Sequence, residues 1–565
     1  MRGDNSLQHT IFVLQHMRQV FIKQLIIALC GFILFVPFLG NVHLFDWDEA
    51  NFAESAREML VTKSYLRVQV DFQPFWEKPP LFIWMQAVFM KLFGIGAFAA
   101  RLPNALTGIV TLCTLFYAGR KVSGERMAWW WVILYAASWL PHFYFKSGII
   151  DPSFNLFIFL SFFQVWRIRT GSRQLYYSVL AGIFLGLATL TKGPVAILVA
   201  MLCLMVYIAL NKGLWGYKLK YFLVLSLACL LTVSLWFGTD ILLNGWWFTN
   251  NFIAYQVKLF STEDAGHGGP FYYHFIVLLI GCFPASVFLF QAGKKSTATL
   301  MNNPDEKDFT RWMWILFAVT LLLFSIVKTK IVHYSSLCYF PLTFIAAQQL
   351  NRISEGKVIR KKLVTLLMAS LGILLALLIT LLPVAGVNKN RLIPYVKDEF
   401  TRANLQAGVN WSYLECGYGL LYLAGVIIAL VLIKRSFDRG MLVLAAVQVL
   451  IIQACILHFT PKIEAFSQRA AIDYYRQFAG KDVYLQPLGF KSYAYLFYSE
   501  KQPLSSKAYY REGIGWLLTG KTDKPVHFIS KITAEKEILR QFPQLEKTGS
   551  LNGYVFYRRK NGDFQ

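Results

Sequence analysis

The sequence predicts a mainly α, polytopic membrane protein of about 13 transmembrane helices, ending in a small C-terminal α/β domain. Three observations lead there. Charged residues make up 15% of the 565 residues, where a soluble protein carries about 25%. Apolar runs of about 18 residues or more, each long enough to cross a bilayer core as a helix, recur from Phe21 to Leu457. From His458 onward the composition becomes polar and ordinary in charge.

The apolar runs place the spans at approximately 21–40, 103–119, 127–145, 152–167, 176–190, 194–211, 220–237, 271–290, 312–327, 331–350, 363–383, 416–433 and 440–457. The run 80–97 is apolar too. Pro79, Pro80, Lys91, Gly94 and Gly96 interrupt it, which suits a helix lying at or dipping into the interface. About 20 polar-to-mixed residues precede the first run, and no small-residue cleavage site follows it, so it is expected to remain as the first span.

Charge orients these spans. If 80–97 does not cross, six basic loops fall on one side, among them Arg120–Lys121–Arg126, Arg167–Arg169–Arg173 and Lys434–Arg435–Arg439. That side is cytoplasmic by the positive-inside bias, and the N-terminus lies on it. Loops 41–102, 238–270 and 384–415 then face outward with the tail. The net charge of +25 is mostly accounted for by these loops, and no nucleic-acid signature accompanies it. The eight cysteines sit almost all in apolar runs without a CxxC pair, as small core hydrophobes. Two domains result: 1–457, holding the spans and the outer loop 41–102, and 458–565. In the second, DVYLQPL and NGYVFYRR read as strands and AFSQRAAIDYYRQFAG as helix.

Chemistry gathers in the outward loops. In DWDEANFAESAREML, Asp48 stands where a helix would begin. It either caps that helix or points into a cavity as a base or hydroxyl-positioning group. Glu49, Glu54, Arg57 and Glu58 read as support or a solvated face. Lys78, next to Glu77 and ahead of two prolines, is a stiffly mounted interfacial cation suited to an anionic headgroup, or an ordinary snorkelling lysine. Asp151 in IIDPSFN and Lys192 in TLTKGP lie at similar outer depth, where unpartnered charge is expensive. Capping is the plain alternative for Asp151. Loop AYQVKLFSTEDAGHGGPFYYHF offers Lys258, Glu263, Asp264, His267 and His274 around mobile glycines. Lys328, Lys330, His333 and Tyr334 end another span on the outer side, against the positive-inside bias. The histidines and acids match no specific metal-ligand spacing, so a metal stays unassigned.

The pieces DEANFAESAREM, EKPPLFIWMQA, RLPNAL, IIDPSFNLF, TKGP, HGGPFYY and KTKIVHYSSLCYFP follow one another across about residues 40–345. In that order they resemble the polyprenyl-phosphate-dependent glycosyltransferases of the GT-C class, in particular the bacterial aminoarabinose lipid A transferase and protein O-mannosyltransferase group. The resemblance implies a GT-C fold in the bacterial inner membrane, with the C-terminal domain in the periplasm. It implies a sugar donor on a polyprenyl monophosphate, and lipid A, a protein or another envelope glycan as acceptor. No cofactor is required by that chemistry; a divalent metal is left open without support. By motif, Asp48 is the essential loop acid and Asp151 a second acid near the catalytic cavity. Lys78, Lys258 and Tyr334, with Lys330, correspond to donor contacts, and Glu49, Glu77, Lys192, His267 and His333 to support. Lys258 stands where the family's lipid A enzymes usually carry arginine, which keeps charge but loses bidentate geometry. His333 replaces a frequent proline, and Asn51 replaces the usual arginine or glycine after DEA.

The competing class is a transporter or flippase of polyprenyl-phosphate-linked sugars. It should show internal repeats and polar groups at the midplane. No repeat is visible, and the charges gather at outer span ends, so an enzyme is favoured.

Overall fold

In lipid the backbone has no hydrogen-bond partner but itself, so the apolar runs become helices. The computed structural model describes residues 2–214, 216–261, 268–292, 303–356, 361–504 and 506–560. A helix or broken helix lies at each predicted run. Seven helices are long and apolar enough to cross a membrane, or up to nine if each bent pair counts as one span. The predicted thirteen is not reached on that measure, because several runs are broken. Glu125–Ala137 gives way at Ser138 to Trp139–Tyr144. Leu219–Ser234 and Phe237–Asn244 meet at 44°, and Tyr273–Gly281 and Ala285–Gln291 at 111°. The protein is mainly helical and crosses a membrane several times. Leu81–Phe93 has 13 residues, about 20 Å of helix against a bilayer core of about 30 Å. It begins directly after Pro79 and Pro80, as the sequence suggests for a non-crossing helix.

The loop after the first helix holds the helix Asp48–Thr62 and a two-stranded hairpin, β1 (Gln69–Val70) with β2 (Gln73–Pro74). At the C-terminal end, β3 (Tyr484–Leu488), β4 (Val526–Lys531), β5 (Leu545–Leu551) and β6 (Tyr554–Arg559) form a sheet in the order β3-β4-β6-β5. β3 runs parallel to β4, and the other pairs are antiparallel. DVYLQPL and NGYVFYRR are indeed its strands β3 and β6. The long helix Phe437–Ser467 continues through Pro461, past the expected end of the apolar run, before Arg469–Arg476 begins.

Two sets of bonds fix this loop. From the bundle, Arg101 reaches up out of the helix Ala97–Ser123. Its Nε and Nη2 donate to Glu49 at 3.0 and 2.7 Å, its Nη1 to the carbonyls of Leu39 and Val42 at 2.8 Å each, and its Nη2 to that of His43 at 2.9 Å. All five N–H groups of the guanidinium are thereby used. Burial alone would raise the Glu49 carboxyl, but the Arg101 charge and hydrogen bonds carry it below its ordinary value. From the C-terminal side, Gln468 accepts from Asp46 N–H and donates to Leu44 O, both at 2.9 Å. Leu44 N–H donates to the Tyr498 hydroxyl at 2.6 Å.

Glu54, Arg57 and Glu58 are all buried, so the solvated-face alternative falls. Arg57 forks onto Glu54 at 2.7 and 2.6 Å and donates to Lys501 O at 2.7 Å. Glu58 accepts from Phe72 N–H at 2.9 Å. Burial, reinforced by the charge of Glu54, pushes Glu58 from 4.5 up to about 9. Between those values the folded protein holds a proton that the unfolded chain has released, so this group's contribution to stability falls as pH rises through that window. Glu58→Gln removes the penalty. Its melting temperature, measured against the parent's by intrinsic fluorescence, should climb steadily from about pH 5 to about pH 9. A constant offset across that range would contradict the protonated state of Glu58.

Candidate active site

Asp48 is the first residue of its helix. The cap position is Trp47, and no side chain caps the helix, so capping does not account for Asp48. The nearby acid that does bind backbone is Asp46. Its Oδ1 accepts from Trp47 N–H at 2.8 Å, Tyr493 N–H at 2.8 Å and Ala494 N–H at 3.0 Å. Asp48 is left with a side chain 44% exposed, at the wall of a cavity of about 480 Å³.

The same cavity is lined by Glu77, Lys78, Asp151, Lys192, Lys258, His333 and Tyr334. Six separate stretches of chain therefore deliver the predicted residues to one place. Asn104 explains part of this. Three residues after Arg101 on the same helix, its side-chain amide donates to Ser147 O at 2.7 Å and Ile149 O at 2.6 Å, fixing the chain that leads into Asp151. Asn155, one turn into the Asp151–Thr170 helix, donates to Ser336 Oγ at 2.8 Å and locks the short turn Val332–Cys338, which carries His333 and Tyr334. RLPNAL is thus a bracket for both acids.

Asp151 is 2% exposed and ion-paired with Lys192. No side chain caps its helix either. His333 Nε2 lies 3.6 Å from Asp48 Oδ2 and 3.8 Å from Asp151 Oδ2, bridging the two carboxylates. The Lys192 ammonium stands 5.2 Å from the Tyr334 ring centroid, and that of Lys78 6.0 Å from the ring of Tyr255. Lys258 reaches the cavity from the helix Trp247–Ser261.

Lys330 is not brought into this cavity. Its ammonium donates to the carbonyls of Phe324 at 3.2 Å, Ser325 at 2.7 Å and Val327, at the end of the helix Pro304–Ile326. Helix-end carbonyls attract cations, and the reach is local. Glu49 is spent on Arg101 and faces a neighbouring cavity of about 360 Å³, which shares Trp47, Asp48 and His333 with the first. His267, Glu263 and Asp264 lie outside the described residues. Among the described residues no group of three or more His, Cys, Asp or Glu could hold a metal ion. Sequence reading missed Tyr255, Lys491 and Tyr493, which also line the larger cavity. Tyr255 sits in the quoted AYQVKLF stretch. Nothing in the tail marks Lys491 or Tyr493.

Geometrically, the cavity combines several cations with an exposed carboxylate, as needed to hold a phosphate beside an incoming nucleophile. The Asp151–Lys192 pair also tests the packing. Lys192→Met leaves Asp151 buried and opposed mainly by His333, at a cost of about 3–5 kcal/mol. Adding Asp151→Asn should recover most of that loss in thermal unfolding of the detergent-solubilised protein. Additive losses in the double variant would show that the two side chains are not coupled.

Residues 77–236 match the family model described as dolichyl-phosphate-mannose-protein mannosyltransferase. Relatives named undecaprenyl phosphate-alpha-4-amino-4-deoxy-L-arabinose arabinosyl transferase include one from Edwardsiella ictaluri, 26% identical over 62% of this chain and 63% of its own length. Another, from Shewanella sediminis, is 24% identical over 70% of each chain. The match to the first thus spans less than two thirds of that relative. The crystal structure of ArnT from Cupriavidus metallidurans bound to undecaprenyl phosphate superposes with a TM-score of 0.76 at 17% identity, covering 95% of this chain and 98% of that one. The family model, the curated relatives and the fold agree, and the resemblance to the GT-C polyprenyl-phosphate-dependent glycosyltransferases read from the motifs is borne out.

Proposed function

We propose that the protein transfers a sugar from a polyprenyl monophosphate donor to lipid A or another envelope glycan at the periplasmic face of the inner membrane. The observation that carries this is the convergence of Lys78, Lys258 and Tyr334 with the exposed Asp48 on one cavity. All thirteen apolar runs cross the bilayer in this reading, with a cytoplasmic N-terminus and residues 458–565 as a periplasmic domain. The relatives' names support undecaprenyl phosphate-linked 4-amino-4-deoxy-L-arabinose as the donor. The family model's description favours a protein acceptor as the second reading.

The acceptor oxygen attacks the anomeric carbon, and the bond from that carbon to the phosphate oxygen breaks with its electron pair leaving on polyprenyl phosphate. Lys78 and Lys258 stabilise the charge growing there, and Tyr334 donates a hydrogen bond to the same phosphate. Attack opposite the leaving group inverts the anomeric configuration. Asp48 orients the nucleophile and, for a hydroxyl acceptor, takes its proton. An acceptor that is already a phosphate needs no such base, and Asp48 then positions it. Asp151, neutralised by Lys192, keeps His333 in place beside Asp48.

Purified protein incubated with candidate polyprenyl-phosphate sugars and either lipid A or acceptor peptides, followed by mass spectrometry, decides the reading. Sugar on lipid A is the expected result. Donor lipid crossing vesicle membranes with no transfer to any acceptor would replace the enzyme with a transporter. Asp48→Asn should lower turnover by about 10²–10⁴-fold with an unchanged melting temperature. Lys78→Met and Lys258→Met should raise the donor KM. Lys330→Met, on a side chain outside the cavity, should lower the melting temperature and leave the donor KM alone; a raised donor KM would return Lys330 to the donor site.

A further inference from the structure

The C-terminal sheet region contributes two side chains to the cavity, Lys491 and Tyr493, from the loop that follows β3. Lys491 is exposed, and among the described residues no carboxylate pairs with it. Its ammonium lies instead 5.3 Å from the Trp47 ring centroid and 5.0 Å from that of Tyr493. Those two rings meet edge-to-face at 6.4 Å and 89°. Two aromatic faces hold the cation in place without neutralising it.

Trp47 is unusual in its own right. It is 42% exposed and has φ 75°, a left-handed backbone that a bulky residue adopts at a cost. The chain holds it there through Asp46, whose carboxylate also binds the backbone N–H groups of Tyr493 and Ala494. The strain and the interdomain bonds serve one outcome: an indole face presented beside Asp48, where both cavities meet. An exposed indole suits the apolar face of a sugar ring, and a neighbouring unpaired ammonium suits an anion attached to that ring.

We infer that Trp47, Tyr493 and Lys491 form the acceptor subsite, taking a sugar ring that bears an anionic substituent, and that the C-terminal region supplies its charge. This rests on the transfer reading above, with Lys78 and Lys258 assigned to the donor phosphate. Lys491 acts on the acceptor only and is a specificity residue, not a catalytic one.

The test uses the full-length protein in nanodiscs, with lipid A and enzymatically dephosphorylated lipid A as the two acceptor probes. Lys491→Ala should raise the KM for lipid A roughly tenfold, the loss of one charge-assisted contact. Donor KM and kcat should stay put. Lys491→Arg should recover most of the affinity. An unchanged KM for lipid A, or a rise in donor KM, overturns the assignment. Binding of the two probes without donor, read by native mass spectrometry, separates this inference from the transfer reading. The parent should prefer lipid A roughly tenfold over its dephosphorylated form, and Lys491→Ala should lose that preference. Equal binding of both probes by the parent refutes the subsite whether or not transfer occurs.

Discussion

One guanidinium sets the geometry on which the site depends. Arg101 binds Glu49 through two N–H groups and spends the rest on the carbonyls of Leu39, Val42 and His43. Packing a leucine there would fill the same volume without saying where the chain must lie. The five directed bonds leave the loop after the first helix one position over the bundle, and Glu49 cannot turn without abandoning a buried charge. Asp48 precedes Glu49 in the same first turn, so its direction is settled once Glu49 is held. A few residues on, Asn104 does the same for the segment leading into Asp151. One face of one helix therefore registers both acids.

Charge is distributed unevenly around the cavity. Its wall has Lys78, Lys192, Lys258 and Lys491 against Glu77, Asp48 and Asp151. Asp151 and Lys192 neutralise each other, and His333 sits between the two aspartates. The other lysines face Glu77 and Asp48 across the same wall.

Much of this was legible in the sequence, for local reasons. Apolar runs located the helices, and Asp48, Lys78, Asp151, Lys192, Lys258, His333 and Tyr334 all meet at one cavity. The span count was not legible at the same precision, because a break such as that at Ser138 divides an apolar run without changing its hydropathy. Lys330 misled for a different reason. Its polarity and position matched its neighbours, and only the helix-end carbonyls within its reach decide where the ammonium goes. For Arg57 and Glu58 the sequence leaves support and a solvated face both open, because what covers them lies far along the chain, as the Lys501 carbonyl bound by Arg57 shows. Lys491 could not have been found at all, since its place depends on bonds between Asp46 and residues in the tail.

The four residues Asp46-Trp47-Asp48-Glu49 condense the physics of the site. Three are acids, and composition treats them alike. Asp46 is consumed by three backbone N–H groups, two of them from the C-terminal region. Glu49 is consumed by Arg101 from the bundle. The chain between is held at both ends by opposite halves of the molecule, and Trp47 absorbs the mismatch in its positive φ. Asp48 is then the acid left facing the cavity with a substantially exposed side chain. Its availability is produced by what happens to its neighbours. That is why membrane bundle and C-terminal region have to be joined for the carboxylate to be usable: release either anchor and Trp47 can relax to an ordinary backbone, turning Asp48 away from His333 and the lysines.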